Sequence, residues 1–212
     1  SVFIVAAILM GGFFVATPQA FAAAGVSPAT GGASVSIDTT FPGGTGAFTT
    51  LSGPAISEGV AGDINAGTHT ITLPAGWEFD TSIITISKFG DIVLNSLTVT
   101  PTPTSFQFIV GSESTSPSVV GFSNLKVRPT GTTPSTGNMT YSGDGIAGVT
   151  NGTTNFGTLT SVPGTVTKLS FTTEPGGAVY GSLLSPQPVV KTQDQFNNNS
   201  TNGLIATEMV SL

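Results

Sequence analysis

Apolar and polar residues alternate in short stretches along most of the chain. In residues 105–110, every second position is apolar, at Phe106, Phe108 and Val110. Ile71 and Leu73 alternate in the same way within residues 68–73. Because successive side chains of a strand point to opposite faces, each stretch predicts a strand with one buried face. Comparable stretches lie at residues 34–37, 82–87, 96–100, 119–127, 138–141 and 154–160.

Gly, Pro, Asn and Asp residues separate these stretches at intervals of about ten residues, which is typical of a sandwich or barrel. No stretch after residue 22 repeats with the 3.6-residue period of a helix. We therefore predict an all-β, antiparallel β-sandwich without a helix in its mature part. Its core is predicted to hold the regularly placed phenylalanines, Phe79, Phe106, Phe108, Phe122 and Phe156.

The first 22 residues follow a different pattern. Residues 2–15 are almost continuously apolar, and Pro18 and the small-x-small sequence Ala20-Phe21-Ala22 follow. This order is typical of the hydrophobic helix and cleavage site of a secretory signal peptide, so cleavage is predicted between Ala22 and Ala23. A membrane-spanning helix needs about 20 apolar residues, which disfavours a retained anchor. A pilin-type helix packed in a filament core is the remaining alternative.

Both ends of the sequence suggest an interior piece of a longer reading frame. The chain begins with Ser1, and no Lys or Arg precedes Lys88, although signal peptides open with Met and a positively charged segment. At the other end, residues 209–212 stop within an alternating pattern. We expect further sequence on both sides.

Composition narrows the class of partner. Only 8% of residues are charged, and the formal net charge is −6. The five basic residues are scattered, so nucleic acid is excluded as a partner, and membrane contact is expected only through the signal peptide. The chain has no cysteine, which excludes thiol catalysis and Cys-bound zinc. This acidic, Thr-rich composition is typical of extracellular or cell-surface proteins. The basic residues are Lys88, Lys126, Arg128, Lys168 and Lys191.

Four segments follow from these patterns. They are a signal peptide over residues 1–22, a Gly-rich linker over residues 23–32, a β-sandwich over residues 33–162, and a second unit over residues 163–212. The boundary is placed at Val162-Pro163-Gly164, where a closing strand gives way to a new motif.

The second unit carries a family resemblance. Residues 168–181 (KLSFTTEPGGAVYG) and 187–198 (QPVVKTQDQFNN) resemble the opening half of the bacterial immunoglobulin-like repeats of invasin-type surface proteins. Residues 66–80 and 121–130 are similar to modules that precede such repeats. The resemblance implies an immunoglobulin-like sandwich, of which residues 163–212 are the first half. Asn197 stands where the repeats usually have Gly, and Asn also tolerates positive φ.

Candidate chemistry is sparse. The single histidine, His69, is predicted at an exposed strand position, and no Gly-x-Ser-x-Gly motif is present, so we predict no enzymatic activity and no organic cofactor. Calcium is the one candidate ion, because it prefers oxygen ligands in Gly-rich loops. Its predicted ligands, if two loops meet, are Glu58, Asp63, Glu78 and Asp80; the alternative is that they are solvated loop acids.

Trp77 separates two functional hypotheses. Exposed, the only tryptophan could stack on a sugar ring; buried, it would be part of the core. The favoured function is a secreted bacterial cell-surface structural or adhesin-type protein that presents tandem β-sandwich modules, with neighbouring repeats of the same chain as partners. The alternatives are the carbohydrate-binding region of an exported enzyme, which would bind cell-wall or host polysaccharide, and a filament or surface-layer subunit that retains its hydrophobic N-terminus.

Overall fold

The computed structural model describes residues 23–205. The predicted signal-peptide helix, with Ala20 and Ala22 of its cleavage site, and residues 206–212 lie outside the described residues. The described part is all-β, as predicted: it consists of strands, turns and one 3-10 turn at Ile37–Thr39. No helix within it has the length and apolar character needed to cross a bilayer.

One layer of the sandwich is a six-stranded sheet. Its strands, numbered along the chain, lie in the spatial order β2 (Val35–Ser36), β14 (Gly157–Val162), β13 (Thr136–Gly143), β5 (Gly67–Thr72), β10 (Ser105–Ser112) and β8 (Val93–Leu94). All neighbours are antiparallel except β2 and β14, which are parallel, with Val35 opposite Ser161. None of the six strands contains a charged residue.

The opposite layer is a bent sheet that appears in two parts. The five-stranded part has the order β1 (Gly25–Ser27), β4 (Ala55–Ser57), β11 (Val119–Ser123), β7 (Ile84–Phe89) and β9 (Thr98–Val99). The three-stranded part has the order β3 (Thr49–Leu51), β12 (Leu125–Pro129) and β6 (Trp77–Phe79). Each of these three strands adjoins its counterpart β4, β11 or β7 in the chain, so the smaller part extends the centre of the larger one.

Asn124 marks the bend. Residues 119–127 were predicted as one strand, but Asn124 has a left-handed φ of 64° and separates β11 from β12. Its side-chain amide donates to the Ile83 carbonyl at 2.6 Å, which secures the bend on the neighbouring chain. Asn adopts this conformation more readily than most residues, and the strand therefore changes direction here.

The predicted phenylalanine core is confirmed. Phe106 and Phe108 of β10 reach across the sandwich to Phe122 of β11, with ring centroids 5.2 and 5.1 Å apart. Phe79 meets Phe106 edge-on at 5.6 Å, and Phe156 is fully buried. A single hydrophobic cluster joins both layers.

Residues 23–32, predicted as a linker, contribute to both layers instead. Val26 of β1 pairs with Ile56 of β4, and further along, the Ala29 amide donates to the Phe156 carbonyl at 2.8 Å. The Thr160 amide likewise donates to the Gly32 carbonyl at 2.7 Å. The physical reason is that each sheet has an edge with free backbone groups, which this segment satisfies in turn.

A two-stranded hairpin follows the sandwich. Strands β15 (Lys168–Thr173) and β16 (Val189–Gln193) are antiparallel, with an irregularity between Phe171 and Thr173. Asn197, in the turn after β16, has a φ of 73°. The expectation that asparagine supports the left-handed conformation at this position is therefore confirmed.

Candidate functional site

Glu58 and Asp63, two of the predicted calcium ligands, lie together and are buried. Glu58 accepts hydrogen bonds from the Ile64 amide at 3.1 Å, the Ser118 amide at 2.8 Å and the Ser114 hydroxyl. Asp63 accepts from the Gly59 and Val60 amides at 2.8 and 2.9 Å. These carboxylates satisfy loop backbone rather than facing solvent, because a buried amide needs an acceptor.

Of the other two, Glu78 lies on β6 in the three-stranded part of the bent sheet, and Asp80 directly follows β6. Glu78 Oε1 accepts from Arg128 Nε at 2.5 Å, and Asp80 Oδ2 is 3.7 Å from Lys126 Nζ. The hydrogen bond from the Ser82 side chain, with the Lys126 charge, lowers the pKa of Asp80 although burial opposes this. Glu78 and Asp80 are thus paired with cations, whereas Glu58 and Asp63 are held by loop amides and the Ser114 hydroxyl. Within residues 23–205, no three carboxylate or histidine side chains come together as a metal site would require.

Trp77 is a core residue, with 2% of its surface exposed. It lies on β6 opposite Pro129 of β12. Its indole faces the interior, so it offers no platform for stacking on a sugar. A buried Trp77 is what the structural hypothesis predicts.

His69 is buried, so the predicted exposed position is wrong. Its Nδ1 lies 2.6 Å from the Tyr141 hydroxyl, its Nε2 lies 2.9 Å from the Asn65 carbonyl oxygen, and its ring stacks on Phe108 at 4.8 Å. Burial lowers the pKa of His69, and the Asn65 contact and the Asp144 charge oppose this. Both ring nitrogens are engaged within the core, which makes the residue structural.

The contact between the sandwich and the hairpin, here called the junction, is the most organised polar region that the sequence analysis missed. Asp38, in the 3-10 turn, accepts from the Thr165 amide at 2.7 Å and from Gln195 Nε2 at 3.0 Å. On the other side, Asn198 Nδ2 donates to the Thr132 carbonyl at 2.8 Å. Side chains of each unit therefore fix the backbone of the other.

Asp194 organises the hairpin side of the junction. Its fully buried carboxylate accepts from the amides of Gly164, Phe196 and Asn198, each at 2.9 Å. Burial raises the pKa of Asp194, but these hydrogen bonds and those from the Asn198 side chain outweigh burial and lower the pKa overall. The sequence does contain a sign of this role, because Asp194 directly follows the predicted strand QPVVKTQ, at the position where the turn begins.

A cleft of about 510 Å³ opens at the junction. The sandwich contributes the outer side of β2 and the end of β14, and the hairpin unit contributes the segment after its turn. No charged side chain lines it. The lining residues are Ser34, Ser36, Val162, Pro163, Asn199, Ser200, Thr201 and Asn202.

A second, apolar hollow of about 440 Å³ lies on the hairpin itself. Leu169 and Phe171 of β15 and Val190 of β16 line it, together with Leu184 from the connecting loop. These side chains are exposed; Leu169, for example, is 60% exposed. The hairpin therefore presents an apolar face that the described residues leave uncovered.

No family model matches the chain, and no match was found among curated proteins or solved structures. The resemblance to invasin-type repeats therefore stays a prediction from the sequence.

Proposed function

We propose that this chain is part of a secreted cell-surface protein with a structural or adhesin-type role, built from β modules in series. The observation that carries the proposal is the parallel pairing of the segment that follows β1 with β14, the last strand of the sandwich. Residues 29–36 run parallel to residues 156–162, joined by the Ala29–Phe156 and Thr160–Gly32 hydrogen bonds and by the β2–β14 pairing.

Parallel pairing of these two segments suits a protein under tension. A pull on residue 29 and a pull on residue 162 act in opposite directions along neighbouring strands, so their hydrogen bonds are loaded in shear and must break together. Forced unfolding is governed by the unfolding rate, which such a ladder slows. The junction adds to this role, because Asp38 and Asn198 hold the hairpin unit in a fixed position on the sandwich.

The partner proposed for the hairpin is further β structure of the same protein. Leu169, Phe171 and Val190 form an apolar face on a two-stranded sheet, and such a sheet is marginal in water without a packing partner. A neighbouring part of a tandem array would supply the opposing layer.

Single-molecule pulling of the full chain tests the mechanical role. Thr160→Pro removes the amide that bonds Gly32, so we expect a clear drop in the rupture force of the sandwich. Thr98→Pro is the matched control, since Thr98 lies in the edge strand β9, outside the loaded pair. An equal drop in both variants, or none in Thr160→Pro, would contradict the proposal.

Surface exposure is tested separately. An antibody raised against the folded chain is expected to label intact cells of the source bacterium without permeabilisation. Labelling only after permeabilisation would contradict a cell-surface role. Detection of the antigen joined to an enzyme domain would favour the exported-enzyme alternative, and detection in an ordered layer or filament would favour the third hypothesis.

A further inference from the structure

The junction cleft has two walls of matching chemistry. Ser34 and Ser36 line the sandwich wall, beside Val162. Asn199 and Asn202 line the wall of the hairpin unit, with Ser200 and Thr201 between them. Five of the six polar side chains belong to residues that are exposed or half-buried, while Ser200 is buried.

The hydrogen bonds already made show what the cleft still offers. Ser34 Oγ donates to the Ala33 carbonyl at 2.8 Å, so its lone pairs are free to accept. Ser36 Oγ accepts from the Asp38 amide at 3.1 Å, so its proton is free to donate. The two asparagine amides can each donate and accept. The cleft thus presents donors and acceptors on both sides, as a polyhydroxylated ligand would require.

The charge of the cleft narrows the ligand further. None of its lining residues is ionisable, and the two carboxylates of the junction, Asp38 and Asp194, are engaged by backbone amides. A charged ligand would lose hydration without gaining a counterion. Val162 and Pro163 add an apolar surface against which the C–H face of a ring can pack.

We propose that the junction cleft is a binding site for a neutral sugar unit of an extracellular glycan. Its volume of about 510 Å³ lies within the range of about 300–1,000 Å³ that is usual for small-molecule sites, which favour domain interfaces. The ligand would contact both units and so strengthen the junction by binding its assembled form. This goes beyond the proposed mechanical role, which does not require a ligand.

The test is a titration of the full chain, followed by backbone amide chemical shifts and calorimetry. The probes are maltotriose, cellotriose, mannotriose and chitobiose, with trigalacturonate as the charged comparison. At least one neutral probe is expected to give saturable shifts at Ser36, Val162 and Asn202. Asn202→Ala should weaken its binding about tenfold, the equivalent of one well-formed hydrogen bond.

Two further variants keep the test decisive. Asn199→Ala should weaken binding like Asn202→Ala, and it replaces that variant if Asn202→Ala alters the fold. Asn138→Ala, an exposed asparagine on β13 outside the cleft, should leave binding within about twofold of the wild type, as usual for a surface change. The proposal is overturned if no neutral probe shifts the cleft amides, if trigalacturonate binds equally well, or if both cleft variants bind normally. Any of these results would leave the pulling experiment unaffected.

Discussion

At the scale of single residues, Phe108 gives the clearest prediction. Its ring lies between His69, at 4.8 Å, and Phe122, at 5.1 Å. Phe108→Ala is expected to reduce the free energy of unfolding by about 3–5 kcal/mol, because a large buried ring leaves a cavity. Urea denaturation measures the loss.

Ile109→Ala is the matched control for Phe108→Ala. Ile109 follows Phe108 on β10, faces outward and is 44% exposed. Its truncation should change the free energy of unfolding by about 0.5 kcal/mol or less. Equal losses in the two variants would mean that the register of β10 differs from the one described.

His69 shows where residue type misled the sequence analysis. It shares parity with Ile71 and Leu73, so the alternation placed it on the buried face, but a polar residue was assigned to the surface. The partners that allow burial, Tyr141 and Asn65, come from elsewhere in the fold and are not identifiable from the local pattern. The position of His69 in the alternation was a better guide than its polarity. Successive side chains of a strand must point to opposite faces, whereas a polar side chain can be buried wherever it finds hydrogen-bond partners.

Buried His69 predicts a specific pH dependence. Burial holds its folded-state pKa below 6.5, the ordinary value, so the unfolded chain takes up the proton first as the pH falls. Stability should therefore decrease from pH 6.5 toward the folded pKa. His69→Gln, which retains polar atoms but does not titrate, should lose this part of the slope.

Denaturation of both proteins between pH 8 and pH 5 is the measurement for His69. Carboxylates titrate mostly below this range and are common to both proteins. Parallel stability profiles would show that the histidine is not protected from protonation in the fold.

At the scale of elements, strand positions were predictable, and the alternation also marks the break that divides one predicted strand. The alternation in residues 105–110 corresponds to β10, whereas residues 119–127 divide between two parts of a sheet at Asn124. The buried positions shift by one residue across this break, from Val120 and Phe122 to Leu125 and Val127, so the alternation itself marks Asn124 although one strand was predicted over the whole stretch. Residues 23–32 were predicted as a linker for a different reason. Their Gly-rich composition does not reveal backbone pairing that depends on distant sheet edges.

The turn after β16 predicts that Asp194 is essential to the hairpin. Asp194→Asn places an amide donor among the Gly164, Phe196 and Asn198 amides, which need an acceptor. The loss should be about 1.5–3 kcal/mol in local stability, the usual range for hydrogen bonds to a charged group. Hydrogen exchange at these three amides measures it.

Glu174→Gln is the control for Asp194→Asn, since it removes one negative charge from an exposed position on the same hairpin. It should leave the three exchange rates unchanged.

Because the pKa of Asp194 is lowered, its contribution is present above pH 3.8 and is lost as the pH falls through the folded pKa. Exchange in Asp194→Asn that matches the wild type would contradict this role.

At the scale of the whole molecule, the sequence predicted the fold class but not the place where side chains converge. The sandwich follows from local alternation and turns, which each segment carries by itself. The junction depends on Asp38 and Gln195, which are 157 positions apart, and no local pattern links them. The four acids predicted as one calcium site show the same limit, because loops that are similar in composition lie at different places in the fold.

The difference between sandwich and hairpin predicts the course of limited proteolysis. The loop between β15 and β16 carries Tyr180, which is 107% exposed, and Leu183, which is 79% exposed. Chymotrypsin is therefore expected to cut first in this loop and to leave a resistant fragment that contains residues 33–162, where most large apolar residues are buried.

Phe89 is the informative comparison for this cleavage, since it is 77% exposed but pairs with Val119 in a sheet. Tyr180→Ala should slow the first cut and Phe89→Ala should not, because cleavage needs a segment that can open locally as well as an exposed side chain. First cleavage at Phe89, or equal cutting on both sides of Val162, would show that the two units do not differ in stability as the described packing implies.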